Sequence, residues 1–306
     1  AGVSHSMAAL GIKNTIKATD GGSYAGQSIT FKTDGLSNVT PPQVANQIAY
    51  WNFNNTTNAT VGTWTTTNVS SSFAADRGGY ANSSVAFNGT TDIIEVANGG
   101  ALFAGPASTL SFWVWCDTTT NPAHNLFAMG INGSKGSVVE IDAKCNWFKN
   151  GASFTDAANS ELGEDLFFNG DGKFKDNGGW LGHSFNTDLS ATGGVKEKLS
   201  MKWAHIVYTY DASTKLRTMY LNGVKMMQSD FNLWPSGDAK LGITGQKAFT
   251  APSPFYSNVF AFGFICDRSA TNFDAEPWGN FDVPTSNHFK GRLDDVRFFN
   301  VALTAA

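Results

Sequence analysis

Glu140 and Asp142 stand two residues apart in the run GSVVEIDAKCNWF, residues 136 to 148. The period of two in a strand puts both carboxylates on one face. Hydrolysis of a glycosidic bond uses such equipment: one carboxylate attacks, while a carboxylic acid about 5 Å away protonates the leaving oxygen and then serves as base. The next residue on that face is Lys144. Its ammonium cannot perform the acid and base steps that a glutamic acid of raised pKa performs. The expectation is therefore a non-catalytic strand on which Glu140 and Lys144 flank Asp142 as solvated or ion-paired residues.

A second chemistry needs no bond cleavage. Sugar rings offer apolar C–H faces that stack on Trp and Tyr, and hydroxyls that bond to Asp, Asn and Arg beside them. Three segments combine these types: DNGGWLGH around Trp180, DFNLWPSGD around Trp234, and DRSATNFDAEPWGNFD with Phe273, Asp274, Glu276 and Trp278. The third, with two aromatics and two acids, is the preferred ligand-binding segment. Glu161, Glu164, Asp165, Asp171 and Asp176, in what reads as an insertion from about 150 to 200, keep a catalytic alternative open. In the same region NGDGKFKD hints at a calcium loop, but Phe167 stands at the first ligand position and no Glu follows at the twelfth, so a Gly-rich polar loop is the reading.

The elements that would position these groups are strands. IAYWNF (48–53), SVAFNG (84–89), DIIEVA (92–97), TLSFWVW (109–115), LFAMGI (126–131), SVVEIDA (137–143), KWAHIVYTYD (202–211), LRTMYLNGVKM (216–226), NVFAFGFIC (258–266) and GRLDDVRFFN (291–300) mostly alternate apolar and polar residues between Gly, Asn or Asp. Helical periodicity is nearly absent. Asn88-Gly89 and Asn222-Gly223 each predict a tight type I′ hairpin, because Asn-Gly supplies two positive-φ positions. Many short strands without alternating helices predict an all-β chain with two packed antiparallel sheets. Residues 1–46, which end near Thr40-Pro41-Pro42, read as an N-terminal extension or linker, and 47–306 as the β-sandwich.

The order of YWNFN, SVAFNGTTDIIEV, TLSFWVW, KWAHIVYTYDASTKLRTMYLNGVKM and HFKGRLDDVRFFNVALTAA resembles the laminin-G-like jelly-roll domain of the concanavalin A-like lectin/glucanase superfamily over about residues 47 to 306. The superfamily's glucanases carry a Glu-Ile-Asp strand followed shortly by a second Glu, and Lys144 and Cys145 depart from that pattern. The resemblance also implies a structural calcium where the first and last strands meet. Asp294 and Asp295 match the terminal acidic pair, which needs compensation by a cation or by Arg292 and Arg297. The third candidate ligand is Asn54, where relatives often have Asp.

Composition narrows the partners. Charged residues make up 15% of the chain, 24 Phe and 9 Trp supply a core, and the net charge is −4. Without a basic cluster, nucleic acid and anionic membrane surfaces are excluded as partners, and no apolar run reaches the roughly 18 residues of a transmembrane span. Cys116, Cys145 and Cys266 are odd in number, sit beside apolar residues and read as buried fillers. No signal peptide is visible, so the expectation is an exported chain whose signal has been removed, at the cell surface or outside the cell, with a lipid anchor as one means of attachment. The leading reading is a non-catalytic protein that binds a polysaccharide or glycan. A protein-binding adhesion module and a glycoside hydrolase or lyase of the same fold stand beside it.

Overall fold

The computed structural model describes residues 41–119, 126–130, 138–173, 182–247, 258–264 and 288–304. The order of strands is dictated by which faces are apolar. One sheet contains β1 (Gln47–Trp51), β3 (Ser72–Ala74), β4 (Ser84–Asn88), β6 (Ala107–Cys116), β11 (His183–Asn186), β12 (Trp203–Asp211), β13 (Leu216–Leu221), β14 (Val224–Asp230) and β17 (Lys290–Phe299). Its order is β11-β14-β13-β12-β6-β17-β4-β3, with β1 also paired to β17. The second contains β2 (Thr66–Val69), β5 (Ile93–Val96), β7 (Leu126–Gly130), β8 (Val138–Ile141), β9 (Phe148–Asp156), β10 (Leu162–Phe168), β15 (Ile243–Gln246) and β16 (Phe260–Phe262). It runs β10-β9-β8-β7-β16-β5-β2, with β15 beside β9. Pairing is antiparallel throughout these ladders, and the two sheets form the predicted sandwich.

Alternation explains the packing. Along β6, Leu110, Phe112, Val114 and Cys116 are buried while Ser111, Trp113 and Trp115 remain part-exposed on the other side. β12 does the same, with Ala204, Ile206 and Tyr208 inward and Trp203, His205 and Val207 outward. Between the sheets aromatic rings meet edge to face: Trp51 to Phe262 at 5.1 Å and Phe260 to Phe298 at 5.8 Å between centroids. Such pairs add about 0.5–1.5 kcal/mol beyond the area they bury. Cys116 and Cys145 are buried free thiols in this core, as expected of fillers; Cys266 lies outside the described residues.

A buried ion pair also crosses the sandwich. Arg217 on β13 and Glu164 on β10 are 1% and 2% exposed, and Arg217 Nη1 stands 2.8 Å from Glu164 Oε2. The other guanidinium nitrogen donates to Asn150 Oδ1 at 2.8 Å, and Ser229 Oγ donates to Glu164 Oε1 at 3.0 Å. Desolvation raises the Glu164 pKa; Arg217 and Ser229 oppose the rise.

One of the two expected Asn-Gly hairpins forms, and other expectations are corrected. Asn222 and Gly223 have φ of 50° and 79° and join β13 to β14 as a tight hairpin. Asn88-Gly89 does not make one, because β4 and β5 lie in different sheets. There the Asn88 carboxamide oxygen accepts from Thr90, Thr91 and Asp92 N–H at 2.8, 2.9 and 3.2 Å, a capped turn that carries the chain from one sheet to the other. The supposed insertion from 150 to 200 contributes β9, β10 and β11 and a short helix, α1 (Gly194–Leu199). β10 pairs along its whole length with residues 148–154 of β9. Their polar residues concealed them in the sequence, since Asn150 and Glu164 face inward and are satisfied by Arg217.

Candidate functional site

Glu140 and Asp142 do not share a strand face. β8 ends at Ile141, and Asp142 turns the chain, its Oδ2 accepting from the N–H of Lys144 at 3.2 Å and of Asn146 at 2.9 Å. Cys145 supports that turn with a φ of 58°. Glu140 is buried and pairs with Lys149 on β9, not with Lys144, at 2.8 Å between Nζ and Oε1. Of the carboxylates read as solvated or ion-paired, Glu140 is ion-paired, with Lys149 in place of Lys144, and Asp142 caps a turn.

The outward face of the nine-stranded sheet gathers more chemistry than any loop among the described residues. Register places Trp113 between His205 on β12 and Asp294 on β17, and Ser111 between Val207 and Arg297. The His205 and Trp113 rings stack at 4.9 Å, and His205 Nε2 lies 2.8 Å from Ser111 Oγ. Arg77, from the turn between β3 and β4, lays its guanidinium 4.6 Å from the Trp113 ring centre, and Arg292 does so over Trp115 at 4.7 Å.

The same Arg77 holds the acidic pair. Its Nη1 is 2.5 Å from Asp294 Oδ2 and its Nη2 2.6 Å from Asp295 Oδ2. Consecutive strand residues normally point to opposite faces. Here the β17–β6 register slips between Asp294 and Arg297, and Asp295 takes a φ of 49°. That bulge turns both carboxylates onto one fork. The Tyr50 hydroxyl also donates to Asp295 Oδ1, while Arg297, 3.6 Å from that oxygen, lies 3.6 Å over the Tyr50 ring. Burial, reinforced by the neighbouring Asp295 charge, pushes Asp294 up to about 8 against the pull of Arg77. Burial and then the Arg77 charge push His205 down to about 4, so its ring is neutral at pH 7.

The calcium expectation meets a poor fit here. Calcium takes six to eight oxygens, yet one oxygen of each carboxylate is held by Arg77, and Asp295's other oxygen by Tyr50. Asp294 Oδ1 alone has no partner among the described residues. The Asn54 backbone N–H donates to Asn52 Oδ1 at 3.1 Å, a bond that does not engage the Asn54 side-chain oxygen. The nearest compensating cation is Arg77, which was not expected; Arg297 also pairs with Asp295 at 3.6 Å, as expected, while Arg292 lies over Trp115.

Beside this network a cleft of about 330 Å³ opens on the sheet face, walled by Pro41, Pro42, Val207, Tyr220, Phe299 and Leu303, with Ser111, His205, Thr209 and Arg297 as its polar groups. Pro41 and Pro42, read as a linker, are part of its wall. Trp234 is not there: it packs on a second small core with Phe154, Tyr210 and Phe231, under the Lys240 ammonium at 3.8 Å and against Gly182. Trp180, Phe273, Asp274, Glu276 and Trp278 lie outside the described residues. The signal that pointed to the sheet face was present in TLSFWVW and KWAHIV. When alternate residues already fill a core, Trp113, Trp115, Trp203 and His205 on the opposite side are surplus apolar and polar surface.

The described residues form a two-sheet antiparallel β-sandwich bearing an aromatic and cationic cleft on one sheet face. Among solved structures the chain is similar to the binding domain of Paraclostridial Mosquitocidal Protein 1, with TM-score 0.51 and 12% identity over 85% of this chain and 50% of that one. It also matches the botulinum neurotoxin serotype D binding domain, with TM-score 0.46 and 14% identity over 85% and 49% of the two chains. A third match is domain 4 of AbnA, a GH43 extracellular arabinanase from Geobacillus stearothermophilus in complex with arabinotriose, with TM-score 0.46 and 16% identity over 85% and 95%. The chain spans about half the length of the toxin binding domains it matches. No protein-family model matches it, and no curated protein matches it by sequence. No helix among the described residues is long and apolar enough to cross a membrane.

Proposed function

We propose that this chain is an exported, non-catalytic carbohydrate-binding protein of the laminin-G-like, concanavalin A-like type, which holds a glycan at the cell surface through the cleft on its nine-stranded sheet. The observation that carries this reading is the composition of the cleft: apolar walls, with Tyr220 and Phe299 among them, beside the hydroxyls of Ser111 and Thr209, a neutral His205 and Arg297. A sugar ring needs that pairing of an apolar face with a few convergent polar groups. Phe273, Asp274, Glu276 and Trp278, with Trp180, are the second set of ligand-binding residues in this reading, taken from their residue types alone. The arginine fork beside the cleft supplies fixed charge, and this reading assigns calcium no part in binding.

The test is a glycan-array screen of the full chain beside Tyr220→Ala and Trp278→Ala. Binding lost in Tyr220→Ala places the site in the cleft, whereas loss in Trp278→Ala alone moves it to the loop. Absence of glycan binding would favour the protein-adhesion reading, and release of sugar from a polysaccharide would overturn the non-catalytic one.

A further inference from the structure

On the outer side of the second sheet one lysine is enclosed by two carboxylates from two neighbouring strands. Lys149 Nζ stands 2.8 Å from Glu140 Oε1 and 3.1 Å from Asp165 Oδ2. The three side chains are 12%, 3% and 22% exposed respectively. Register explains the meeting. Glu140 on β8 lies directly opposite Lys149 on β9, while Asp165 on β10 lies opposite Gly151, one diagonal step from Lys149. Gly151 makes the room. A Cβ there would sit 2.7 Å from Asp165 Oδ1 and 2.9 Å from Val138 Cγ1, so any other residue would push the carboxylate away from the amine. Phe167, opposite Lys149, packs its ring 5.0 Å from that of Trp147 beside the cluster.

We propose that Lys149 and Asp165 join in an intramolecular isopeptide bond that staples β9 to β10, with Glu140 as the proton carrier. The resting cluster holds one ammonium between two carboxylates. Burial lowers the Lys149 pKa, but Glu140 and then Asp165 more than restore it, so the ammonium is the resting form. Passing one proton from that ammonium to Asp165 gives a neutral amine and a carboxylic acid at unchanged net charge, the pair from which the reaction starts. The amine lone pair then attacks Asp165 Cγ, and Glu140 takes a proton from the nitrogen. Glu140 returns that proton to the departing hydroxyl, the Cγ–O bond breaks, and one water leaves as the Nζ–Cγ amide remains. No electron is gained or lost, and no cofactor is needed. The fold supplies an amine held 3.1 Å from an oxygen of the Asp165 carboxyl and 2.8 Å from the buried Glu140 carboxylate.

The decisive measurement is the intact mass of the purified full chain, denatured and reduced. The expected value is that of the sequence minus one water, with a branched peptide joining the segments of Lys149 and Asp165 in the protease digest. Glu140→Gln and Asp165→Ala are expected to restore the mass their sequences give. A wild-type chain at its full sequence mass overturns the proposal. So does a lost water that maps to cyclisation at Asp171-Gly172 or to an amide on Glu140.

Discussion

Arg77 and Asp294 stand 217 positions apart in the chain and meet at 2.5 Å, with Asp295 on the second nitrogen of the same fork. This contact ties the turn between β3 and β4 to the closing strand, and its cation also stacks on Trp113 beside the cleft. Replacing Arg77 by Met leaves two buried carboxylates without their fork, a loss that costs about 3–5 kcal/mol where a buried pair is broken. Denaturant unfolding of Arg77→Met is expected to show that drop, and a change under about 1 kcal/mol would mean the fork is dispensable.

Because Arg77 pairs with both Asp294 and Asp295, the stability of this pair is expected not to depend on calcium. Thermal melts with calcium and with chelator are expected to coincide. A Tm that rises with calcium and falls back in Asp294→Asn would place a cation where the structure places the arginine.

Asp294 is raised from an ordinary carboxylate value to about 8 in the folded chain. Between about 4 and 8 the folded state therefore binds more protons at this group than the unfolded state, so its contribution to stability is full below about 4 and fades as pH rises to 8. Asp294→Asn is expected to flatten that decline in unfolding free energy across the window, and an unchanged slope would remove Asp294 as its source.

His205 works in the opposite direction. Its pKa is lowered from 6.5 to about 4, so the unfolded chain takes up the proton first and stability falls as pH drops from 6.5 toward 4. Urea midpoints for His205→Gln are expected to fall less over that range than those of the parent chain.

Arg217 and Glu164 give a test that separates charge from packing. Arg217→Met alone strands a buried Glu164 and is expected to cost roughly 3–5 kcal/mol, while adding Glu164→Leu recovers most of the loss. A double variant as unstable as the single one would show that shape and the Asn150 bonds, not stranded charge, dominate.

The sandwich was legible in the sequence wherever a strand has one wet and one dry face. TLSFWVW and KWAHIVYTYD alternate cleanly because water decides which side chains turn inward, and Asn222-Gly223 declares its turn through backbone sterics alone. β9 and β10 were illegible because their inward polar groups depend on Arg217, which arrives from the other sheet. Asn88-Gly89 misled for a related reason: two residues can specify a turn but not which sheet the next strand joins.

The sequence by itself determined the local conformations, the apolar faces and hence the class of fold, since these follow from residue types at short spacing. Only the tertiary structure decided the partners of the charges. A bulge turned Asp294 and Asp295 to one side, and Arg77 came to them across 217 residues; Lys149 met Glu140 and Asp165 through strand register. A charge is satisfied by whatever lies within a few ångströms, and that neighbour is fixed by the packing of the whole chain.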